Sequence, residues 1–194
     1  TLERIDELAE AGIASLKIEG RMRKSEYVIQ SVLSYRHAID HQIMDINQEV
    51  KNLKKVFNRD YTEGYLFDIK PKTLNHSHRP NHMGIEIGKV VGFDKGKVTI
   101  ELKDDLVVGD GIRFVGSKDY GLGVSRILKD NQSVQRAFAN ERIVIDSPEA
   151  IEVGSIVHKT MDSELESSLS IYLDEAYKCI PLKGIVRAYV DTPL

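Results

Sequence analysis

Apolar positions along this chain follow two different periods, and the change between them divides it. From Thr1 to Ala11, Leu2, Ile5, Leu8 and Ala9 form one stripe at helical spacing. Thr1 stands where an N-cap belongs, and Gly12 supplies a left-handed C′ residue. Ser25 to about Ile46 repeats the helical period over a longer span. There Val28, Val32, Tyr35, Ile39, Ile43 and Ile46 share a face that Ile29 and Leu33 widen. A shorter helix follows, with Val50, Leu53, Val56 and Phe57 on one side. Lys51, Lys54 and Lys55 on the other read as a solvated face, which Arg59 extends.

Between the first two helices the period is two. Ile13 to Glu19 reads as a short buried strand, with Leu16 and Ile18 alternating against Lys17 and Glu19 before Gly20 turns the chain. Helix, strand, glycine turn and helix in this order resemble the last portion of a (β/α)-barrel. Ligands in such folds collect at the carboxyl ends of the strands. Lys17, Glu19 and Arg21 would sit there as cation, anion and cation, a set suited to a polyanionic or zwitterionic ligand. The competing reading is a salt-bridged strand edge.

Past residue 82 alternation takes over. Gly84–Val91 and Gly96–Leu102 pair about an Asp94-Lys95-Gly96 turn, and further strands are expected at 111–115, 123–129, 133–137, 142–146 and 155–159. Turns at short, even intervals predict a small closed barrel. Asp162 to Tyr177 is an acidic amphipathic helix ended by Pro181, and Ile185 to Val190 begins another strand. The fold class is thus α+β. Residues 1–70 are the helical, barrel-terminal part, 71–82 a polar linker, 83–160 the β-barrel, and 161–194 a helix and the start of a further unit. The chain opens on Thr1 and closes on Leu194 just after a strand-like run, which reads as a piece of a longer protein.

Composition narrows the classes. With 41% hydrophobic and 29% charged residues, 194 residues make an ordinary globular balance. No apolar run approaches the roughly 20 residues of a spanning helix, so no membrane partner is expected. Cys179 stands alone, which excludes a disulfide framework and fits a reducing, cytoplasmic setting. The net charge of −3, with eleven Lys/Arg against twelve Asp/Glu in 81–160, argues against a nucleic-acid surface spread over the whole chain. A local basic patch remains open, with Arg23, Lys24 and Arg59 as its candidates. His76, His78 and His82 invite a metal reading, but no acidic or cysteine partner accompanies them, and no metal site is expected. No Ser/His/Asp, Cys/His or His-Glu-x-x-His arrangement is legible.

Two stretches carry a family resemblance. Ser15-Leu-Lys-Ile-Glu-Gly-Arg-Met22, followed by Tyr27-Val28 and Tyr35-Arg36, resembles the end of the core of the peptidase U-32 family, the collagenase-like proteases. Phe57-Asn58-Arg59, with Thr62, Gly64 and Tyr65-Leu66, is similar to the motif that follows that core. Ile87-Gly-Lys-Val90, Val108-Gly-Asp110 and Val153-Gly154 resemble the β-barrel second domain of translation factors, and Ile180–Tyr189 resembles the start of a collagenase-associated domain. The resemblance implies a parent with a TIM-like barrel, acting either in tRNA or ribosomal RNA hydroxylation or as a collagenase-like protease. A non-catalytic module docking RNA or protein is the third reading. In relatives of the hydroxylation kind an iron–sulfur cluster is held by four upstream cysteines. None of those lies in this chain, so no cofactor and no independent activity are expected here. From the matching motif only Lys17, Glu19 and Arg21 carry over, as substrate-facing candidates.

Overall fold

The computed structural model describes residues 1–62, 64–66, 82–173 and 183–185. A 3-10 turn at Leu2–Arg4 leads into helix α1, Ile5–Glu10, which buries Leu2 and Leu8. The glycine stop works as the spacing predicts. Gly12 takes φ +82°, its N–H bonds the Ala9 carbonyl at 3.0 Å, and the Ile13 N–H reaches back to Leu8 at 3.2 Å. These are the two bonds of a Schellman motif.

Helix α2 covers Ser25–Ile39, and α3 covers Ile46–Val56. The single helix expected to reach residue 46 is therefore cut short. His41 turns left-handed at φ +53°, and Gln42 N–H bonds the His37 carbonyl at 2.8 Å, a second Schellman-type stop. Asp45 then caps a new helix, its carboxylate accepting from Asn47 and Gln48 N–H at 2.9 and 3.2 Å. The buried face of α2 also differs from the expected one. Gln30, Ser31, Ser34 and Ala38 are buried, whereas Val28, Val32 and Ile39 stay 37–49% exposed. Ser34 Oγ donates to Glu49 of α3 at 2.7 Å, and Gln30 bonds both of them, so polar groups join these helices.

The strand expected at Ile13–Glu19 does not form, and these residues carry neither strand nor helix. A strand needs a backbone partner, and no described residue pairs with them. Ile13 and Leu16 are about two-fifths exposed.

Among the described residues the second half builds ten strands: β1 Ile85–Asp94, β2 Lys97–Leu102, β3 Leu106–Val107, β4 Gly111–Val115, β5 Tyr120–Gly123, β6 Ile127–Lys129, β7 Gln132–Val134, β8 Arg136–Ala137, β9 Arg142–Asp146 and β10 Ile156–Met161. Eight of them form one antiparallel sheet in the order β5-β4-β10-β1-β2-β9-β6-β7, while β3 pairs with β8. Alternation puts Val98, Ile100, Leu102, Ile112, Phe114, Ile143, Ile145 and Val157 into one core. The closed barrel read from the sequence is observed as a curled sheet with edges at β5 and β7. Loop backbone crosses the gap, with Gly109 N–H on the Val124 carbonyl, Val124 N–H on Asp110, and Val108 N–H on Gln135, at 2.8–2.9 Å.

Helix α4, Ser163–Leu169, is capped by Asp162 and continues as a 3-10 turn to Leu173. The rest of the expected helix to Tyr177, all but Ile185 of the strand expected at 185–190, Cys179 and most of the linker, including His76 and His78, lie outside the described residues.

Candidate functional site

The chain leaving α3 is pinned from three sides, and this fixes a cleft in front of it. Asn58 is buried. Its side-chain amide donates to the Gly84 carbonyl at 2.6 Å, its Oδ1 accepts the Asp60 N–H at 2.9 Å, and its carbonyl accepts the Met83 N–H at 2.8 Å. His82 completes the clamp. Its Nδ1 accepts the Asn58 N–H at 2.8 Å, so Nε2 carries the proton and donates to the Thr160 carbonyl at 3.1 Å. Burial lowers its pKa below the ordinary histidine value. With both ring nitrogens on backbone groups, His82 is not available as a metal ligand.

The Phe57 ring is the hub of the site. His82 stacks on it at 5.6 Å, Tyr27 meets it edge-on at 5.8 Å, and the guanidinium carbons of Arg23 and Arg59 lie 3.8 and 5.4 Å from its centroid. A cleft of about 470 Å³ opens beside this hub. Glu19, Arg21, Arg23, Tyr27, Tyr35, Arg59, Asp60 and Tyr61 line it. Tyr61 is 46% exposed, and its hydroxyl donates to the Phe57 carbonyl at 3.0 Å, so the ring is oriented while the residue stays partly open to solvent.

Of the residues singled out from the sequence, Glu19, Arg21, Arg23 and Arg59 come together in this cleft. Lys17 does not line it. It pairs with Glu19 at 2.6 Å, and both side chains are at least 70% exposed. Arg21 makes no hydrogen bond or ion pair among the described residues. Lys24 lies at 3.6 Å from Glu166 of α4 and faces a second cleft of about 210 Å³ that shares Arg23, Tyr27 and Phe57.

That second cleft ends on a charge cluster absent from the sequence reading. Lys159 Nζ lies 2.8 Å from Asp110 and 3.4 Å from Asp162, and Asp162 also takes Lys55 of α3 at 2.6 Å, all of them 11% exposed or less. Burial alone would raise the Asp162 pKa. The Lys55 bond, the Leu165 N–H and the Lys159 charge outweigh it and hold the carboxyl at about 2. Asp110 accepts from Val107 N–H and from the Ser163 N–H and hydroxyl at 2.9–3.0 Å. The solvated lysine face expected on α3 is thus corrected: Lys55 is nearly buried, and Lys51 reaches Asp104 at 2.5 Å. The cluster ties helix to sheet and is a structural device. Phe57 enters the sequence reading through the apolar side of the short helix and the second family motif, Tyr27 through the first motif, and Tyr35 through that motif and the helical stripe; none of the three is singled out there as a site residue.

Comparison with known proteins names a family. Residues 1–76 match the family model of peptidase family U32. The chain is 34% identical over 179 residues to an uncharacterised protease of Methanocaldococcus jannaschii, covering 81% of this chain and 42% of that protein. It is 24% identical over 147 residues to the 23S rRNA 5-hydroxycytidine synthase of Escherichia coli (69% of this chain, 22% of that one). It is 32% identical over 126 residues to tRNA hydroxylation protein P1 of Bacillus subtilis (59% and 30%). The chain thus spans less than half the length of each of these relatives. Carrying the U32 sequence over residues 1–76 and a relative's similarity on into the sheet, this chain belongs to peptidase family U32.

Proposed function

We propose that this chain is the C-terminal region of a longer cytoplasmic U32 enzyme acting in hydroxylation of tRNA or rRNA, and that its task there is to dock the RNA. The observation that carries the reading is the cleft in which Arg21, Arg23 and Arg59 meet Tyr27, Tyr35 and Tyr61. Guanidiniums with interleaved aromatic rings are the chemistry that takes phosphate and bases together. The names of two relatives, which act on ribosomal and transfer RNA, support it. No described helix is long and apolar enough to cross a membrane, which is compatible with an RNA partner. An iron–sulfur cluster is held by cysteine thiolates, commonly four. One cysteine in 194 residues does not fit such a group, so a cluster would have to be held by the remainder of the parent.

The test is RNA mass spectrometry on a strain lacking the parent gene, complemented with wild-type or Arg21→Lys protein. The reading expects hydroxylation to be lost in the deletion and reduced roughly 30- to 1000-fold by the loss of a bidentate phosphate contact. Unchanged RNA in the deletion strain would overturn it. A second reading, proteolysis, has the name of the Methanocaldococcus relative in its favour. Gelatin cleavage by the parent, abolished by a point mutation, would establish it.

A further inference from the structure

Resting on that reading, we propose that the larger cleft is a subsite for one unpaired nucleotide of RNA. Arg21, Arg23 and Arg59 take its phosphate, and its base lies against Tyr61. Four observations converge on this. The cleft, at about 470 Å³, is of the size that holds a small ligand. Its charge balance is cationic: Arg21, Arg23 and Arg59 face two carboxylates, Glu19 and Asp60, and Glu19 is already paired with Lys17, from outside the cleft, at 2.6 Å.

The third is placement. Arg23 and Arg59 lie over one ring, at 3.8 and 5.4 Å from its centroid, which puts their guanidinium carbons within about 9 Å of each other. Cation–π attraction to a ring leaves a guanidinium its charge and its fork of N–H donors for a phosphate. Arg21 and Arg23 sit on a tight turn closed by the Arg23 N–H on the Gly20 carbonyl at 2.9 Å, so the pair is held in place. The fourth is Tyr61, whose hydroxyl is tethered to Phe57 while nearly half its surface is open. The Phe57 ring itself is already packed by Tyr27, His82 and Arg23, and Tyr35 is part-buried with its hydroxyl on Thr1 at 2.7 Å, so Tyr61 is the most exposed ring of the cleft. A duplex keeps its bases inside the helical stack and cannot lay one on this ring, so the subsite selects single strands.

The experiment is fluorescence-anisotropy titration of the whole chain with labelled decauridylate and with a duplex of equal length, at several salt concentrations. Wild type is expected to bind the single strand more tightly than the duplex. Tyr61→Ala should lose roughly 5- to 100-fold with an unchanged salt slope, and Tyr61→Phe should retain most of the affinity, because the ring and not the hydroxyl stacks. Arg21→Ala should weaken binding and flatten the salt slope by about 0.7. Arg126→Ala, on an exposed arginine paired with Asp146, is the unaffected control. Melting temperatures verify that each variant is folded. Equal affinity for the duplex, wild-type binding by folded Tyr61→Ala and Arg21→Ala, or no decauridylate binding at all would each overturn the subsite. The parent's action in RNA hydroxylation is read separately, from the RNA of the deletion strain, so a failure of the subsite and a failure of that activity are told apart.

Discussion

Replacing Asp162 by Asn removes one charge from the buried cluster and almost nothing else. Asn caps a helix as well as Asp does, so the bond from Leu165 N–H at 2.9 Å survives. Lys159 keeps Asp110 at 2.8 Å, and Lys55 alone loses its partner. The magnitude follows from proton linkage. With its carboxyl held at about 2 against an ordinary 3.8, Asp162 contributes about 2 kcal/mol to folding at neutral pH. The sign is that of a depressed acid. Between those two values the unfolded chain binds more protons than the folded one, so the contribution is complete above about pH 5 and drains as the pH falls toward 2. Asp162→Asn should therefore lose about 2 kcal/mol at pH 7, a fall in Tm of roughly 4–8 °C, and only about half as much at pH 3. Thermal and urea unfolding followed by circular dichroism at both pH values measures this. An equal loss at pH 7 and pH 3, or none at pH 7, would refute the electrostatic account.

Three further outcomes are expected. Because the His82 pKa is lowered by burial, stability should be complete above about pH 6.5 and decline as the pH drops below it. His82→Phe should abolish that decline in a pH-dependent urea titration while lowering stability overall. His41→Gly should raise stability by about 0.5–1 kcal/mol, since His41 occupies a left-handed helix stop at φ +53°, and a drop in the urea midpoint would contradict it. Gly84→Ala should cost about 3 kcal/mol or more: at φ +69° its new methyl would lie 1.9 Å from the Lys159 carbonyl oxygen. Gly123→Ala, with nothing within 4 Å, should melt within a few degrees of wild type.

Strands were legible wherever alternation and turn chemistry agreed. β4 and β9 lie at the expected residues, and β1 and β2 meet about Lys95 and Gly96, both at positive φ as a two-residue hairpin needs. Sheet closure was not legible, because the gap between β5 and β7 is crossed by single loop bonds that leave no periodic trace. On the helical side, periodicity gave α1 and α3 but misplaced the inward face of α2. A stripe such as Val28, Val32 and Ile39 says that something apolar is presented, not which partner covers it. Half of the candidate cleft was legible as charge, in Arg21, Arg23 and Arg59. Of the other half, Tyr35 comes from a helix face that reads as ordinary core and Tyr27 stands beside that face, and the Lys55–Asp162 contact joins residues more than a hundred positions apart.

The bonds from Asn58 to His82, Met83 and Gly84 have a consequence for how this protein tolerates change in length. They hold the two ends of an intervening stretch of chain side by side, whatever its size. Once such a base is fixed, lengthening the stretch adds only closure entropy, about 0.6 kcal/mol for each doubling. Insertions between residues 66 and 82 should therefore be accommodated without moving the cleft, which makes this the position for a reporter tag. The same insertion between Arg59 and Tyr61 would separate the guanidinium from the ring.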